Sequence, residues 1–133
     1  MAKIVFCEDE ARIQKLIRVM LRSTGHEVFI ASDGVEGLAI IKRERPDIVF
    51  TDISMPECDG FQLADELHKD AELAAIPIIF VTAFTQQPAR EEGFRHGAVG
   101  YLTKPFGAIE LREKIDAFVA AGIPRPGYDA SDM

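Results

Sequence analysis

At 133 residues the chain is the size of one domain, long enough to bury a single core without disulfides or a structural metal. Its 47% hydrophobic and 28% charged composition excludes a disordered chain, and a net charge of −7 excludes the Lys and Arg surplus that direct nucleic-acid binding needs. No apolar stretch approaches membrane-spanning length and the N-terminus has no secretory pattern, so a cytoplasmic location without a membrane partner is expected.

The first run, Lys3 to Cys7, is apolar nearly throughout, as a strand covered on both faces should be, and it ends in Glu8-Asp9-Glu10. Ile13, Leu16, Ile17, Met20 and Leu21 then fall on one helical face, with Gly25 as a stop. Glu27 to Ala31 predicts a second strand whose polar residues suit the sheet edge. Asp33-Gly34 opens a second helix through about Glu44, where Pro46 halts it and the third strand, Asp47 to Thr51, follows. A third helix spans about Gly60 to Lys69, and a fourth strand Pro77 to Val81. Pro88 suits the first turn of a fourth helix ending near His96-Gly97. Val99 to Leu102 gives the fifth strand, and Ile109, Leu111, Ile115, Phe118 and Val119 mark a fifth helix. Residues 123–133 carry two prolines, a glycine and no periodicity, and read as a flexible tail behind a domain of residues 1–122. The alternation is (βα)5, an α/β doubly wound parallel sheet.

Parallel strands bring their carboxyl ends to one crevice, where such sheets bind ligands. Here the crevice collects Glu8, Asp9, Asp52 and Lys104, with Thr82 directly after the fourth strand. Adjacent carboxylates repel, so a site holding several of them ionised is stabilised by a hard divalent cation with oxygen ligands. Asp9 and Asp52 are its natural ligands, whereas Glu10 reads as an acid complementing the start of a helix. The first βα loop is acidic and lacks the glycines and hydroxyls that hold a bare phosphate, so a phosphoryl group must arrive with a metal ion. Asp52 can then attack phosphorus, with Lys104 and Thr82 as donors to the transferring group. Taken singly, a lysine at a strand end is usually solvated and a threonine there usually caps a turn. Their joint placement carries the reading.

Ile4-Val-Phe-Cys-Glu-Asp-Glu10, Asp52-Ile-Ser-Met-Pro-Glu-Cys-Asp-Gly60, Pro77-Ile-Ile-Phe-Val-Thr-Ala83 and Gly100-Tyr-Leu-Thr-Lys-Pro-Phe106 resemble the receiver domain of two-component response regulators, of the stand-alone, chemotaxis-regulator kind. The likeness runs from Lys3 to about Ala121. It implies a flavodoxin-like sheet of order 2-1-3-4-5 and a phosphorylation-activated signalling switch. Asp52 would accept a phosphoryl group from a histidine kinase or phosphotransfer protein. Mg²⁺ (or Mn²⁺) would be held by Asp9, Asp52 and the Ser54 backbone carbonyl, with Glu8 reaching it through water. Thr82 and Lys104 would bind the phosphoryl oxygens, Tyr101 would change rotamer with Thr82, and Lys104-Pro105 would be a cis peptide. The surface of the fourth helix, fifth strand and fifth helix would then bind a downstream protein, the chain being a monomer or weak dimer. No enzyme activity is expected beyond self-catalysed phosphorylation and dephosphorylation of Asp52.

Three departures from the family pattern stand out. Glu8 replaces the commoner Asp, Ser54 and Phe84 line the mouth where phosphoryl lifetime is set, and Val99-Gly100 replaces an acidic pair before Tyr101. Two further readings stay open. One is a metal-dependent phosphohydrolase with an aspartyl-phosphate intermediate, against which Ser54 stands where such enzymes place a second Asp. The other is a receiver fragment of a longer regulator whose output domain was removed. His26, His68 and His96 read as helix-end caps or surface residues, and Cys7 and Cys58 as a buried and a semi-exposed thiol.

Overall fold

The computed structural model describes residues 2–55, 57–83 and 95–120. In chain order these form β1 (Lys3–Cys7), α1 (Ala11–Leu21), β2 (Glu27–Ala31), α2 (Gly34–Glu44), β3 (Ile48–Asp52), α3 (Gly60–His68), a 3₁₀ turn at Leu73–Ala75, β4 (Ile78–Ala83), β5 (Gly100–Lys104) and α4 (Ala108–Ala120). The helix expected to start at Pro88, apart from its last residues, falls outside the described residues, as do Phe84 and the C-terminal tail.

All five strands are parallel and lie in the order β2-β1-β3-β4-β5, the flavodoxin-like arrangement expected. The partly exposed β2 is an edge strand, whereas all five residues of β3 are buried. Successive strand residues point to opposite faces, so each apolar strand feeds two cores. On one face Phe6, Phe50, Ile79 and Val81 meet Ile17 and Leu21 of α1 and Leu111, Ile115 and Phe118 of α4. On the other, Val5, Cys7, Val49, Phe80 and Tyr101 meet Ile41 of α2 and Leu63 and Leu67 of α3. Phe6 and Phe50 stack across β1 and β3 with centroids 5.2 Å apart. Burying one such side chain contributes about 1.5–3 kcal/mol, so these two layers dominate the stability.

Strand boundaries differ from the sequence reading in one direction. Asp47 stands just outside β3, its carboxylate accepting the Lys3 N–H at 2.8 Å and its N–H donating to the Lys3 carbonyl at 2.8 Å, and the strand begins at Ile48. At the other end β3, β4 and β5 each run further than apolarity alone predicts, taking Asp52, Thr82 and Lys104 into the strands. Asp52 pairs with Val81 and Thr82 with Thr103. Asp52, Thr82 and Lys104 are thus fixed by sheet hydrogen bonding, whereas Glu8, Asp9 and Ser54 lie just past strand ends.

Local chemistry sets the helix ends. The Asp33 carboxylate accepts the Glu36 N–H at 2.8 Å at the start of α2, and Asp59 with Gln62 forms a reciprocal capping box at α3. The 3₁₀ turn was not expected from the sequence. It forms because the Asp70 carboxylate accepts the Glu72 N–H, which directs Leu73 into the core. Among the described residues no helix is long and apolar enough to cross a membrane.

Candidate functional site

Glu8, Asp52 and Lys104 meet at the carboxyl ends of three strands. Lys104 Nζ donates to Asp52 Oδ2 at 2.6 Å and stands 2.9 Å from Glu8 Oε1. The second contact is an ion pair whose angles fall short of a hydrogen bond, so Glu8 Oε1 is buried without a directed donor. Its other oxygen, Oε2, accepts the Glu10 N–H at 3.0 Å. Glu8 is wholly buried, Asp52 nearly so, and Asp9 is exposed. Carboxylate oxygens of these three residues lie within 4.8 Å of one another.

Burial pushes the Glu8 carboxyl above its usual range, against the pull of the Glu10 N–H and the Lys104 ammonium, and the Asp52 charge adds to the rise. For Lys104, burial disfavours the ammonium, but Asp52 and Glu8 together outweigh that and hold its pKa above the ordinary value. The two shifts look inconsistent for one ion pair, since pairing alone would lower Glu8. Desolvation of the wholly buried carboxylate is the larger effect there. Three carboxylates against one ammonium leave the cluster with an excess of negative charge. An all-oxygen donor set of this kind, with one buried oxygen lacking a directed donor, fits a hard divalent cation such as Mg²⁺.

Backbone contacts hold Asp52 closely. The Thr51 hydroxyl donates to the Asp52 carbonyl at 3.0 Å, and the Gly60 N–H donates to the Ile53 carbonyl at 2.8 Å, folding the β3–α3 loop back on the strand. A Cβ on Gly60 would stand 2.6 Å from that same Asp52 carbonyl oxygen. Gly60 is therefore required by close approach of two chain segments.

The remaining expected site residues lie on or just past β3, β4 and β5. Thr82 is buried on β4 beside β5, and Tyr101 is 6% exposed, its ring 6.1 Å from Phe80. Ser54 is exposed in the loop two residues past Asp52. The Lys104–Pro105 peptide is cis. Cys7 is fully buried with its thiol pushed up to about 12 by desolvation, and Cys58 is semi-exposed, its thiol also raised by burial.

Sequence reasoning missed the surroundings of two histidines. His96 stacks on Phe61 at 4.9 Å and its Nδ1 lies 2.6 Å from the Asp65 carboxylate, rather than serving as a cap or surface residue. His68 packs under Gly97, and burial lowers its pKa. The available signal was Gly97, which adopts φ +90 directly after His96.

Residues 4–116 match the family model described as the response regulator receiver domain. PilH of Pseudomonas aeruginosa is 41% identical over 120 residues, covering 90% of this chain and 99% of that protein. Among solved structures, the chemotaxis response regulator CheY4 of Vibrio cholerae superposes with TM-score 0.82 at 31% identity, covering 88% of this chain and 98% of that one. The receiver domain of the sensor histidine kinase PA1611 from Pseudomonas aeruginosa, solved with magnesium coordinated in its active-site cleft, gives TM-score 0.82 at 31% identity over 90% of this chain and 98% of that one. The chain spans about half the length of several further curated relatives, 46%, 49% and 44% of three of them. The chain belongs to the receiver domain family of response regulators, which makes it a phosphorylation-dependent signalling switch of two-component systems. The phosphohydrolase reading gains no support from these relatives.

Proposed function

We propose that Asp52 accepts the phosphoryl group, taken from the imidazole of a histidine kinase or phosphotransfer protein. The observation that carries this is the Asp52 carboxylate on the central strand, 2.6 Å from Lys104 Nζ with Glu8 and Asp9 beside it. Asp9, Asp52 and the Ser54 backbone carbonyl would hold Mg²⁺, with Glu8 reaching it through water; Mn²⁺ suits the same oxygens. When bound, the cation neutralises phosphoryl oxygens that the acidic cluster would otherwise repel.

An Asp52 oxygen forms the new O–P bond as the N–P bond of the donor breaks and its electron pair returns to the imidazole nitrogen. Lys104 and the Thr82 hydroxyl donate to the transferred oxygens. Thr82 moves toward the phosphoryl group and Tyr101 changes rotamer with it, altering the surface of β5, α4 and the segment before β5, which binds a downstream protein. Catalysis is confined to the chain's own Asp52, and the domain works in the cytoplasm as a monomer or weak dimer.

Intact mass after incubation with acetyl phosphate and Mg²⁺ tests this reading. One base-labile, acid-stable phosphoryl adduct is expected, absent in Asp52→Asn and in EDTA. An adduct that persists in Asp52→Asn would refute the assignment, and continuous turnover of varied phosphomonoesters would favour the hydrolase.

A further inference from the structure

We infer that Gln14 is a positioning residue for the divalent cation, acting on the acidic loop through the Glu8 carbonyl. This rests on the proposed cation site and names a residue outside its ligand set. Gln14 lies on the first turns of α1, and its Nε2 donates to the Glu8 carbonyl at 2.6 Å and to Ser32 Oγ at 3.2 Å. One side-chain amide thereby ties the loop after β1 to the loop after β2.

The need for such a tie follows from the path of the chain. Glu8 still belongs to the β1–β2 ladder, since its N–H donates to the Ala31 carbonyl at 2.9 Å. Beyond Glu8 the chain leaves the ladder, and Asp9 is exposed. Glu10 occupies the N-cap position of α1 without a side-chain cap, so the usual device for fixing a helix entry is missing. The connection is held instead by Glu10 N–H on Glu8 Oε2 and by Gln14 on the Glu8 carbonyl. That carbonyl belongs to the peptide plane joining Glu8 to Asp9. Fixing its oxygen fixes the plane, and with it the direction in which the Asp9 Cα leaves Glu8.

A cation that demands near-octahedral geometry is sensitive to this orientation, and groups that orient metal ligands contribute to affinity without touching the metal. Gln14 is neutral and does not titrate, so its contribution is one of geometry rather than charge.

The test is Mg²⁺ affinity by calorimetry on the full chain, for wild type, Gln14→Met and Ser32→Ala, alongside melting temperatures in EDTA. Gln14→Met keeps side-chain length and helix propensity but removes both donors. Its Kd for Mg²⁺ is expected to rise about three- to tenfold while the EDTA melting temperature changes little. Ser32→Ala keeps the Glu8 contact and should bind Mg²⁺ within about twofold of wild type. Unchanged Mg²⁺ affinity in Gln14→Met would overturn the inference, whereas failure of the wild type to bind Mg²⁺ would overturn the cation site itself. Should Gln14→Met not fold, the wild-type Gln14 side-chain amide decides by NMR. Amide protons that exchange slowly with solvent and whose shifts move on Mg²⁺ addition support the tie, and rapidly exchanging, Mg²⁺-insensitive protons refute it.

Discussion

Replacing Gly60 by alanine tests whether the strand that carries Asp52 and the start of α3 are held by direct backbone contact. The new Cβ would stand 2.6 Å from the Asp52 carbonyl oxygen and 3.0 Å from Ile53 Cα. A comfortable carbon–oxygen contact needs about 3.3 Å, so roughly 0.7 Å must be recovered. Both obstructing atoms are backbone, so no side-chain rotation can supply it, and either Asp52 or the first turn of α3 must shift. Overpacking of this kind costs about 1–3 kcal/mol, against a gain of about 0.4–1 kcal/mol from the less flexible unfolded chain. The clash wins, for a net loss of about 1–2 kcal/mol, which in a domain of this size lowers the melting temperature by about 3–8 °C. Displacement of Asp52 by a fraction of an ångström should also slow phosphorylation by acetyl phosphate about tenfold. Gly107→Ala is the control, because a Cβ there meets only Glu110 Oε1 at 3.8 Å. Thermal melting and intact-mass time courses read both effects. If Gly60→Ala melts with the wild type and is phosphorylated at the same rate, the close-approach reasoning is wrong.

Other outcomes follow from single groups. Glu8 is buried with a raised carboxyl pKa, so the native state holds its proton more tightly than the unfolded chain does. Its contribution therefore falls as pH rises from the ordinary carboxyl range through the raised value, and Glu8→Gln should be more stable than wild type at pH 7 in EDTA with a flatter pH profile. Urea titrations across that range check it, and an unchanged profile would contradict the assignment. Arg112 donates to the Met20 carbonyl at 2.8 and 3.0 Å, tying α4 to the C-terminal end of α1. Arg112→Ala should lose about 1–2 kcal/mol in urea unfolding, and Arg112→Lys should recover part of it. Thiol titration of the native protein should find Cys58 reactive and Cys7 protected until denaturant is added, because the buried Cys7 thiol is held near 12. Rapid native reaction of both would show that the core around Cys7 opens.

The sheet was legible because its strands are covered on both faces: Ile4 to Cys7, Ile48 to Phe50 and Ile78 to Val81 carry little but apolar side chains, and only a buried parallel strand needs such a run. The polar start of β2 announced an edge for the same reason. The site was partly legible, since Asp9, Asp52, Thr82 and Lys104 each follow or close an apolar run. Which groups touch was not. That Lys104 spans Glu8 and Asp52, that Gln14 reaches back to Glu8, and that Gly60 lies against Asp52 depend on contacts between residues 96, 52, 6 and 8 positions apart in sequence. No periodicity encodes those. The histidines escaped for a related reason: His96 gains its role from Phe61 and Asp65 on α3, which only the folded chain brings near.

The position of β3 has a mechanical meaning. It is hydrogen-bonded on both sides, to β1 and to β4, and none of its residues is exposed. β5, which carries Tyr101 and Lys104, is an end strand with a neighbour on one side only. Asp52 thus sits on a strand that is held from both sides. Under the proposed phosphorylation the response would pass sideways to the margin, as a bell struck at its fixed centre is heard at its rim.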